Sequence, residues 1–170
     1  LYYGVRLPLW QDLGATTLYT YNTLYEVFDT TQIGKNKVFS TYLSLEPRFS
    51  INYSIAKKSD IKLNYSRSSQ FIQLLTNSVG PFTSLEVWVP CGPNIKPQKT
   101  DLVALGYFQK VFKSKFNFSV EGFYKHFYNT IDYKDHANML FNPLIEGELR
   151  FGKGWSYGAE MMLRKTEGRF

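Results

Sequence analysis

Residues 46–70 alternate apolar and polar side chains on both sides of a short polar break. The first limb places apolar residues at every second position, namely Phe49, Ile51, Tyr53 and Ile55. After the break at 57–60, the second limb repeats the pattern with Ile61, Leu63 and Tyr65. Successive side chains of a strand point to opposite faces, so the segment predicts a β-hairpin with one apolar and one polar face. Each limb has roughly the 9–11 residues that a tilted strand needs to cross a bilayer, which is typical of a membrane barrel.

The rest of the chain alternates short polar turns with long irregular stretches. The short turns are predicted at 57–60, 113–115 and 167–169, and the long stretches at 10–40, 71–99 and 131–154. Antiparallel outer-membrane barrels place long loops outside the cell and short turns in the periplasm. A soluble sandwich has no reason to sort its connections in this way. We therefore predict an all-β fold, an antiparallel transmembrane β-barrel whose long stretches are extracellular and whose short turns are periplasmic.

Six strands are expected along the chain, near 1–9, 42–56, 60–70, 100–112, 116–130 and 155–165. Short strand extensions are expected around 17–21 and 37–42, and at both ends of the third long stretch. In the second long stretch, prolines at 81, 90, 93 and 97 argue against a central strand. The apolar run 71–75 fits either a helical turn or a strand end. Phe123 and Phe127 interrupt the polar side of the fifth strand. The alternation does not explain these two aromatics, and local packing is the expected reason for them.

Six strands are too few to close a transmembrane barrel, since the smallest single-chain examples have about 8 and the plugged transporters about 22. The whole chain, 1–170, is therefore expected to be a fragment of a barrel domain. No stretch approaches 18 apolar residues, so no transmembrane helix is expected. Aromatic residues make up 18% of the chain, which suits both barrel strands and an aromatic-rich soluble sandwich.

The charge balance gives little reason to expect a nucleic-acid partner. Lysine and arginine number 20 against 14 acidic residues, but they are spread along the chain. No cationic run is longer than the pair Lys57 and Lys58, and a basic stripe or recognition motif is missing. The lone Cys91 has no cysteine partner within the chain and says little about redox compartment.

Five segments together resemble the barrel of TonB-dependent outer-membrane receptors of the type abundant in Bacteroidetes. They are LEPRFS (45–50), IKLNYSRSSQFIQLLTNS (61–78), VWVPCGPNIKPQKTDLVALGYFQ (87–109), SVEGFYKHFYNTIDYKDHA (119–137) and EGELRFGKGWSYGAEMMLRKTEGRF (146–170). The resemblance implies a 22-stranded barrel in the outer membrane, a plug domain inside it, and active nutrient uptake driven by TonB. In that family the plug, the TonB box and a carboxypeptidase-like domain lie upstream, and this chain carries none of them. Expected partners are outer-membrane lipid, the TonB complex through the plug, and a nutrient; a surface lipoprotein is left open.

Two sets of residues are candidates for contact with a ligand or with the barrel interior. Four aromatics in or beside the long stretches could stack on a flat ligand, or could instead pack the loops together or sit in an aromatic belt: Trp10, Phe71, Trp88 and Tyr133. Five residues on the polar faces of the strands are expected to line the lumen, contacting the plug more often than a substrate: Arg48, Lys62, Asn64, Glu121 and Glu160.

Catalysis is not expected from this sequence. A metal site could be formed by Asp132, Asp135 and His136, with His126 nearby. The preferred interpretation is that these residues belong to a polar loop above a strand. Cys91 is read as a loop thiol rather than a nucleophile. The sequence has no phosphate-binding loop, nucleophile elbow or zinc-ligand spacing. We therefore expect neither enzymatic activity nor a bound cofactor.

The leading hypothesis is a partial receptor barrel for active uptake of a glycan, siderophore, peptide or similar nutrient. One alternative is a soluble β-rich carbohydrate-binding module, which predicts that the apolar faces meet in a dry core. A second alternative is an outer-membrane barrel with a structural or secretion role.

Overall fold

The computed structural model describes residues 1–80, 83–111, 115–139 and 141–166, apart from the side chains of 77–80 and 83–85. This part of the chain is all-β, as predicted. In chain order the strands are β1 (Tyr2–Arg6), β2 (Leu9–Leu13), β3 (Thr16–Tyr21), β4 (Val27–Ile33), β5 (Val38–Leu43), β6 (Glu46–Ala56), β7 (Ser59–Gln70), β8 (Ile72–Gly80), β9 (Thr83–Pro90), β10 (Gln98–Val111), β11 (Phe116–Tyr133) and β12 (Leu149–Lys165). A single 3-10 turn, Ile145–Glu148, precedes β12. None of the described residues form a helix that could cross a bilayer.

The main sheet has six antiparallel strands in the order β1-β6-β7-β10-β11-β12. These are the six strands that the alternation predicts, and neighbours in the sheet follow one another along the chain once the smaller hairpins are set aside. Their bounds differ in places from the prediction. The third long stretch is shorter than expected, because β11 runs on to Tyr133 and β12 already begins at Leu149.

The first long stretch is a pair of nested hairpins rather than an irregular loop. β2 pairs with β5, and β3 pairs with β4. The expected extensions at 17–21 and 37–42 correspond to β3 and β5, but β2 and β4 were not predicted. The reason is physical: nearly every side chain of β4 is exposed, so neither of its faces needs apolar residues and the sequence carries no alternation.

The second long stretch also contains a regular hairpin, formed by β8 and β9. The expectation that its prolines exclude strands was too strict, since the rule applies to central strands and this hairpin is a separate two-stranded ribbon. Pro90 is the last residue of β9, while Pro81 lies outside the described residues. The apolar run 71–75 is strand from Ile72 onward, not a helical turn.

The long connections all leave the same end of the main sheet. In an antiparallel meander the connections alternate between the two ends, so the turn after β6 lies at one end and the hairpins β2–β5 and β8–β9 lie at the other. The connection from β11 to β12 joins those hairpins at the second end. Of the other two predicted turns, 113–115 is described only at Lys115, and 167–169 lies outside the described residues.

Paired residues of an antiparallel sheet share a face, so the register gives two faces of opposite character. On the face called here the apolar face, three consecutive rows from β7 to β12 are Tyr65–Val103–Tyr124–Tyr157, Leu63–Leu105–Gly122–Ala159 and Ile61–Tyr107–Val120–Met161. On the opposite, polar face, Lys62, Gly106, Glu121 and Glu160 form one row. Most large side chains of the apolar face are solvent-exposed, so no second layer of the described residues covers it.

Cross-strand glycines account for the two phenylalanines on the polar face. Phe123 pairs with Gly158, and Phe127 pairs with Gly154. A Cβ on Gly158 would stand 2.8 Å from Cε1 of Phe123, so the ring lies directly over the glycine backbone. An aromatic ring placed over a strand glycine covers backbone that would otherwise be bare.

The buried apolar core lies at one end of the main sheet, where the second long connection packs against the ends of β11 and β12. It consists of Leu75, Val89, Ile95 and Leu149, with Val87, Ile131 and Tyr133 packed against it. These residues come from β8, β9, the segment after β9, and the facing ends of β11 and β12. The long connections are therefore a packed unit at one end of the sheet.

Candidate functional site

The packed connections at 7–45, 71–97 and 134–148, leaving out residues 81, 82 and 140, are called here the loop cluster. Its first two members are joined by the rings of Trp10 and Phe71, which stack with centroids 5.7 Å apart and planes within 2°. The indole Nε1 of Trp10 also donates to Oδ1 of Asp12 at 2.7 Å. The Tyr42 hydroxyl donates to the carbonyl of Gly92 at 2.9 Å, which adds a second link between the same two members.

Asn94 ties all three members of the loop cluster together. Its Nδ2 lies 2.8 Å from the carbonyl oxygen of Tyr19 and 2.6 Å from Oε2 of Glu146. Tyr19 belongs to β3 and Glu146 to the 3-10 turn before β12. The Asn94 amide, in the second connection, thus donates hydrogen bonds to both the first and the third connection.

A cavity of about 270 Å³ lies between the three connections and is called here the loop cavity. Asp12 and Glu146 line it together with Cys91, Pro93 and Phe39. A second cavity of about 490 Å³ shares Pro93 and Glu146 with the first. No lysine, arginine or histidine of the described residues lines either cavity. The Asp12 and Glu146 carboxylates, with no cationic side chain among the described residues of the cavity wall, can accept hydrogen bonds from a ligand or bind its positively charged group.

The groups beside Asp12 are held in their neutral forms. Burial, reinforced by the Asp12 carboxylate, raises the pKa of the Cys91 thiol to about 12. Burial also raises the pKa of Tyr42, with smaller contributions from Cys91 and Asp12. At neutral pH Cys91 is therefore a thiol and not a thiolate, and only the thiolate is nucleophilic. The cavity wall can donate and accept hydrogen bonds, but it offers no activated sulfur.

Tyr21 and Glu148 show how burial and charge set protonation elsewhere in the loop cluster. Burial and then the Glu146 carboxylate raise the pKa of Tyr21, although a backbone hydrogen bond at Gly147 lowers it in part. Burial alone would raise the pKa of Glu148, but hydrogen bonds from Lys134 and from the Asn138 backbone N–H lower it overall. Both bonds to Glu148 are 3.0 Å long and fix the third connection in place.

The four aromatics proposed for ligand contact lie in different surroundings. Trp10 and Phe71 stack on each other, and Tyr133 packs against the core with a buried hydroxyl. Trp88 is 64% exposed. Its neighbours Val87 and Val89 face the core, so the alternation of β9 turns Trp88 to the other side of the hairpin. The structure brings Trp10 and Phe71 together, and ligand contact by any of the four stays a prediction.

The five residues proposed to line a lumen do share the polar face. Lys62, Glu121 and Glu160 occupy one row, with Gly106 between the lysine and the first glutamate. Asn64 accepts a hydrogen bond from the Ser50 hydroxyl at 2.7 Å, and Arg48 lies on the same face of β6. The structure places all five residues on the polar face of the main sheet. That this face borders a lumen stays a prediction.

The residues considered for metal binding are spread apart. Asp132 is exposed near the end of β11, and Asp135 and His136 are exposed in the segment that follows. His126 lies within β11, where its ring contacts Tyr128 with centroids 4.2 Å apart. Among the described residues, no three histidine, cysteine or acidic side chains are grouped so that they could hold a metal ion.

Sequence reasoning did not select Asp12 and Glu146, which line the loop cavity, or Asn94, which joins the three connections around it. The Pro93–Asn94 pair is a turn signal that could have drawn attention to the amide. Comparison of the chain with family models, with curated proteins and with solved structures gave no match. Any functional reading therefore depends on the sheet, its two faces and the loop cluster.

Proposed function

We propose that this chain forms part of the wall of an outer-membrane barrel of the TonB-dependent receptor type, which takes up a nutrient captured at the loop cluster. The observation that carries the proposal is the exposed apolar face of an otherwise well-formed six-stranded sheet. Exposing contiguous apolar surface to water is unfavourable, and large exposed patches mark contact with a protein or a membrane. Lipid is the partner that suits a continuous face crossing several strands.

The length of the apolar stripe suits a bilayer. On β12, Trp155, Tyr157, Met161 and Leu163 are exposed on this face, with Ala159 among them. Trp155 to Leu163 covers about 27 Å along the strand at about 3.4 Å per residue. A tilt of about 40° reduces this to about 21 Å, near the apolar band of about 25 Å in outer-membrane barrels. Trp155 and Tyr157 then stand where interfacial aromatics are expected.

The open edges of the sheet support a larger assembly of strands. β1 and β12 each have one neighbour in the main sheet of the described residues, so one edge of each strand presents unpaired backbone groups. Within lipid such groups are costly, and a closed barrel removes them. Further strands on both sides would complete the wall, and the resemblance suggests 22 strands in total.

The polar face suits a wet interior that holds a plug. Glu121 and Glu160 are direct cross-strand partners, and like charges in that arrangement repel. Water or a cationic neighbour relieves this repulsion, whereas a dry core would not. A plug domain contacting this face would supply such neighbours and would link the barrel to TonB.

The two alternatives receive less support. A soluble carbohydrate-binding module requires its apolar faces to meet, yet in the described residues they lie side by side on one sheet. A barrel with a structural or secretion role would share the same wall. The loop cavity with its two carboxylates favours capture of a ligand over such a role.

Fluorescence quenching in lipid tests the membrane assignment. In a protein with Trp10 and Trp88 replaced by phenylalanine, only Trp155 remains, and lipids brominated near the headgroup end of their acyl chains should quench it. The matched control keeps Trp88 alone, through Trp10→Phe and Trp155→Phe, and should be quenched far less because Trp88 belongs to the loop cluster. A folded, detergent-free monomer whose Trp155 escapes quenching would refute the proposal.

A further inference from the structure

Two lysines stand above the apolar face at the loop-cluster end of the sheet. Lys99 of β10 and Lys153 of β12 flank Tyr128 of β11 in one cross-strand row. Neither lysine forms an ion pair within the described residues. The row below contains Asp101, but its carboxylate is engaged by Arg67 through two bonds of 2.7 Å. The edge of the apolar face therefore carries uncompensated positive charge.

Below this edge the apolar face has a groove floored by small residues. Gly122 and Ala159 are direct partners, while the rows above and below them carry Tyr124, Tyr157, Val120 and Met161. The groove encloses about 880 Å³ and is lined mainly by aliphatic and aromatic side chains. Leu105 borders the floor on the β10 side. The missing side-chain volume at Gly122 and Ala159 leaves a channel as wide as two strands.

We propose that this surface binds a lipid with a phosphate-bearing headgroup, with one acyl chain in the groove and the phosphate between Lys99 and Lys153. The inference rests on the proposed function, because it places the apolar face in a bilayer. Charge complementarity selects the headgroup, since lysine binds phosphate as a point charge. The two lysines are two strand spacings apart, about 10 Å, a gap that flexible lysine side chains can close around one phosphate.

The distances along the strands agree with this placement. From the lysine row to the Gly122–Ala159 row there are six residue steps, from Lys153 to Ala159. That is about 20 Å along the strand, or about 16 Å across the membrane at a tilt of about 40°. Ala159 is the middle of the Trp155–Leu163 stripe and so lies at mid-membrane, and half of a bilayer including its headgroups is about 20–22 Å, which puts the lysines at headgroup depth. A lipid of one leaflet thus reaches from the lysines to the floor of the groove.

Lipid retention measured by native mass spectrometry tests the inference. The protein is inserted into nanodiscs of phosphatidylcholine mixed with phosphatidylglycerol, released, and analysed for the lipid that remains bound. Wild type should retain phosphatidylglycerol in preference to phosphatidylcholine. Each of Lys99→Gln and Lys153→Gln should reduce that preference about fivefold, the effect of one cation near an anionic headgroup. Ala159→Leu should reduce retention by filling the groove while leaving both lysines in place.

The control is Lys125→Gln, because Lys125 lies on the polar face over the Phe123 ring and should leave retention unchanged. Insertion into the nanodiscs without any preference for phosphatidylglycerol would overturn the lipid site and leave the barrel proposal intact. Failure to insert at all would overturn both. Displacement of the bound lipid by inorganic phosphate alone would identify a free-anion site and would also overturn the inference.

Discussion

At the level of single residues, Glu46 at the start of β6 is the most enclosed charged side chain of the main sheet. It is 2% exposed, and its Oε1 accepts a hydrogen bond from the Ser69 backbone N–H at 2.8 Å. Arg6 approaches Oε2 only to 3.9 Å and is itself 67% exposed. The hydrogen bond links β6 to β7 beyond their last paired residues, Arg48 and Ser66, whereas the long ion pair links β6 to β1.

Replacing Glu46 with alanine should destabilise the protein by about 2 kcal/mol, because the partly buried Ser69 N–H loses its acceptor. Arg6→Ala should change the free energy of unfolding by less than about 0.5 kcal/mol, as expected for an exposed, long ion pair. Denaturant unfolding of the two variants in detergent micelles makes the comparison. Equal costs for the two substitutions would show that the ion pair matters as much as the hydrogen bond.

Cys91 gives a prediction for pH. Its folded pKa, about 12, lies above the reference value of 9.0, so the folded state holds its proton more tightly. The resulting stabilisation is complete below pH 9 and is lost as the pH rises from 9 towards 12. The stability difference between wild type and Cys91→Ala should therefore shrink over that range. Unfolding titrations of both proteins at several pH values measure it, and a pH-independent difference would contradict the assignment.

At the level of strands, β12 offers two adjacent methionines on opposite faces. Met161 belongs to the apolar face and Met162 to the polar face, and both are exposed. Under the proposed function Met161→Lys puts a charge into lipid and should impair insertion into bilayers by about 2–4 kcal/mol. Met162→Lys should cost much less because it faces the interior. Folding yield into lipid vesicles compares them, and similar yields would argue against a lipid-facing stripe.

Alternation predicted the strands of the main sheet because each has one apolar and one polar face. It failed for β4, whose two faces are both exposed, and for the β8–β9 hairpin, where prolines masked the signal. The start of β12 was expected only as a short strand extension at the end of the third long stretch, because glycines at 152 and 154 interrupt the pattern. One of these, Gly154, pairs with Phe127, so the same cross-strand contact explains both an unexpected aromatic and an unexpected glycine.

At the level of the whole molecule, the loop cluster is where sequence reasoning was least informative. Asp12, Asn94 and Glu146 come from three distant parts of the chain, and nothing local marks them as neighbours. Trp10 and Phe71 stack on each other, which agrees with the alternative that these aromatics pack the loops together, but the sequence did not indicate which rings would meet. Contacts between connections depend on how several hairpins pack together. No local pattern in a single sequence predicts that packing.

Asn94→Ala should loosen the loop cluster without affecting the main sheet. The substitution removes the donor to both Tyr19 and Glu146, a loss of about 1–3 kcal/mol if the acceptors stay buried. Hydrogen exchange should speed up in β2–β5 and in the 3-10 turn, while β10 and β11 remain protected. Asn52→Ala, at an exposed position of β6 in the main sheet, is the control. Unchanged exchange in those connections would remove Asn94 from its bridging role.

The outer edge of β12 runs for 17 residues without a neighbour in the described part of the chain. During biogenesis such an edge is a template that any extended polypeptide can join, including the same edge of another copy. Under the proposed function, barrel closure is unimolecular, whereas stacking between copies is bimolecular. Refolding yield should consequently fall as protein concentration rises, and a short peptide with the sequence of β12 should act as a competitive inhibitor of assembly.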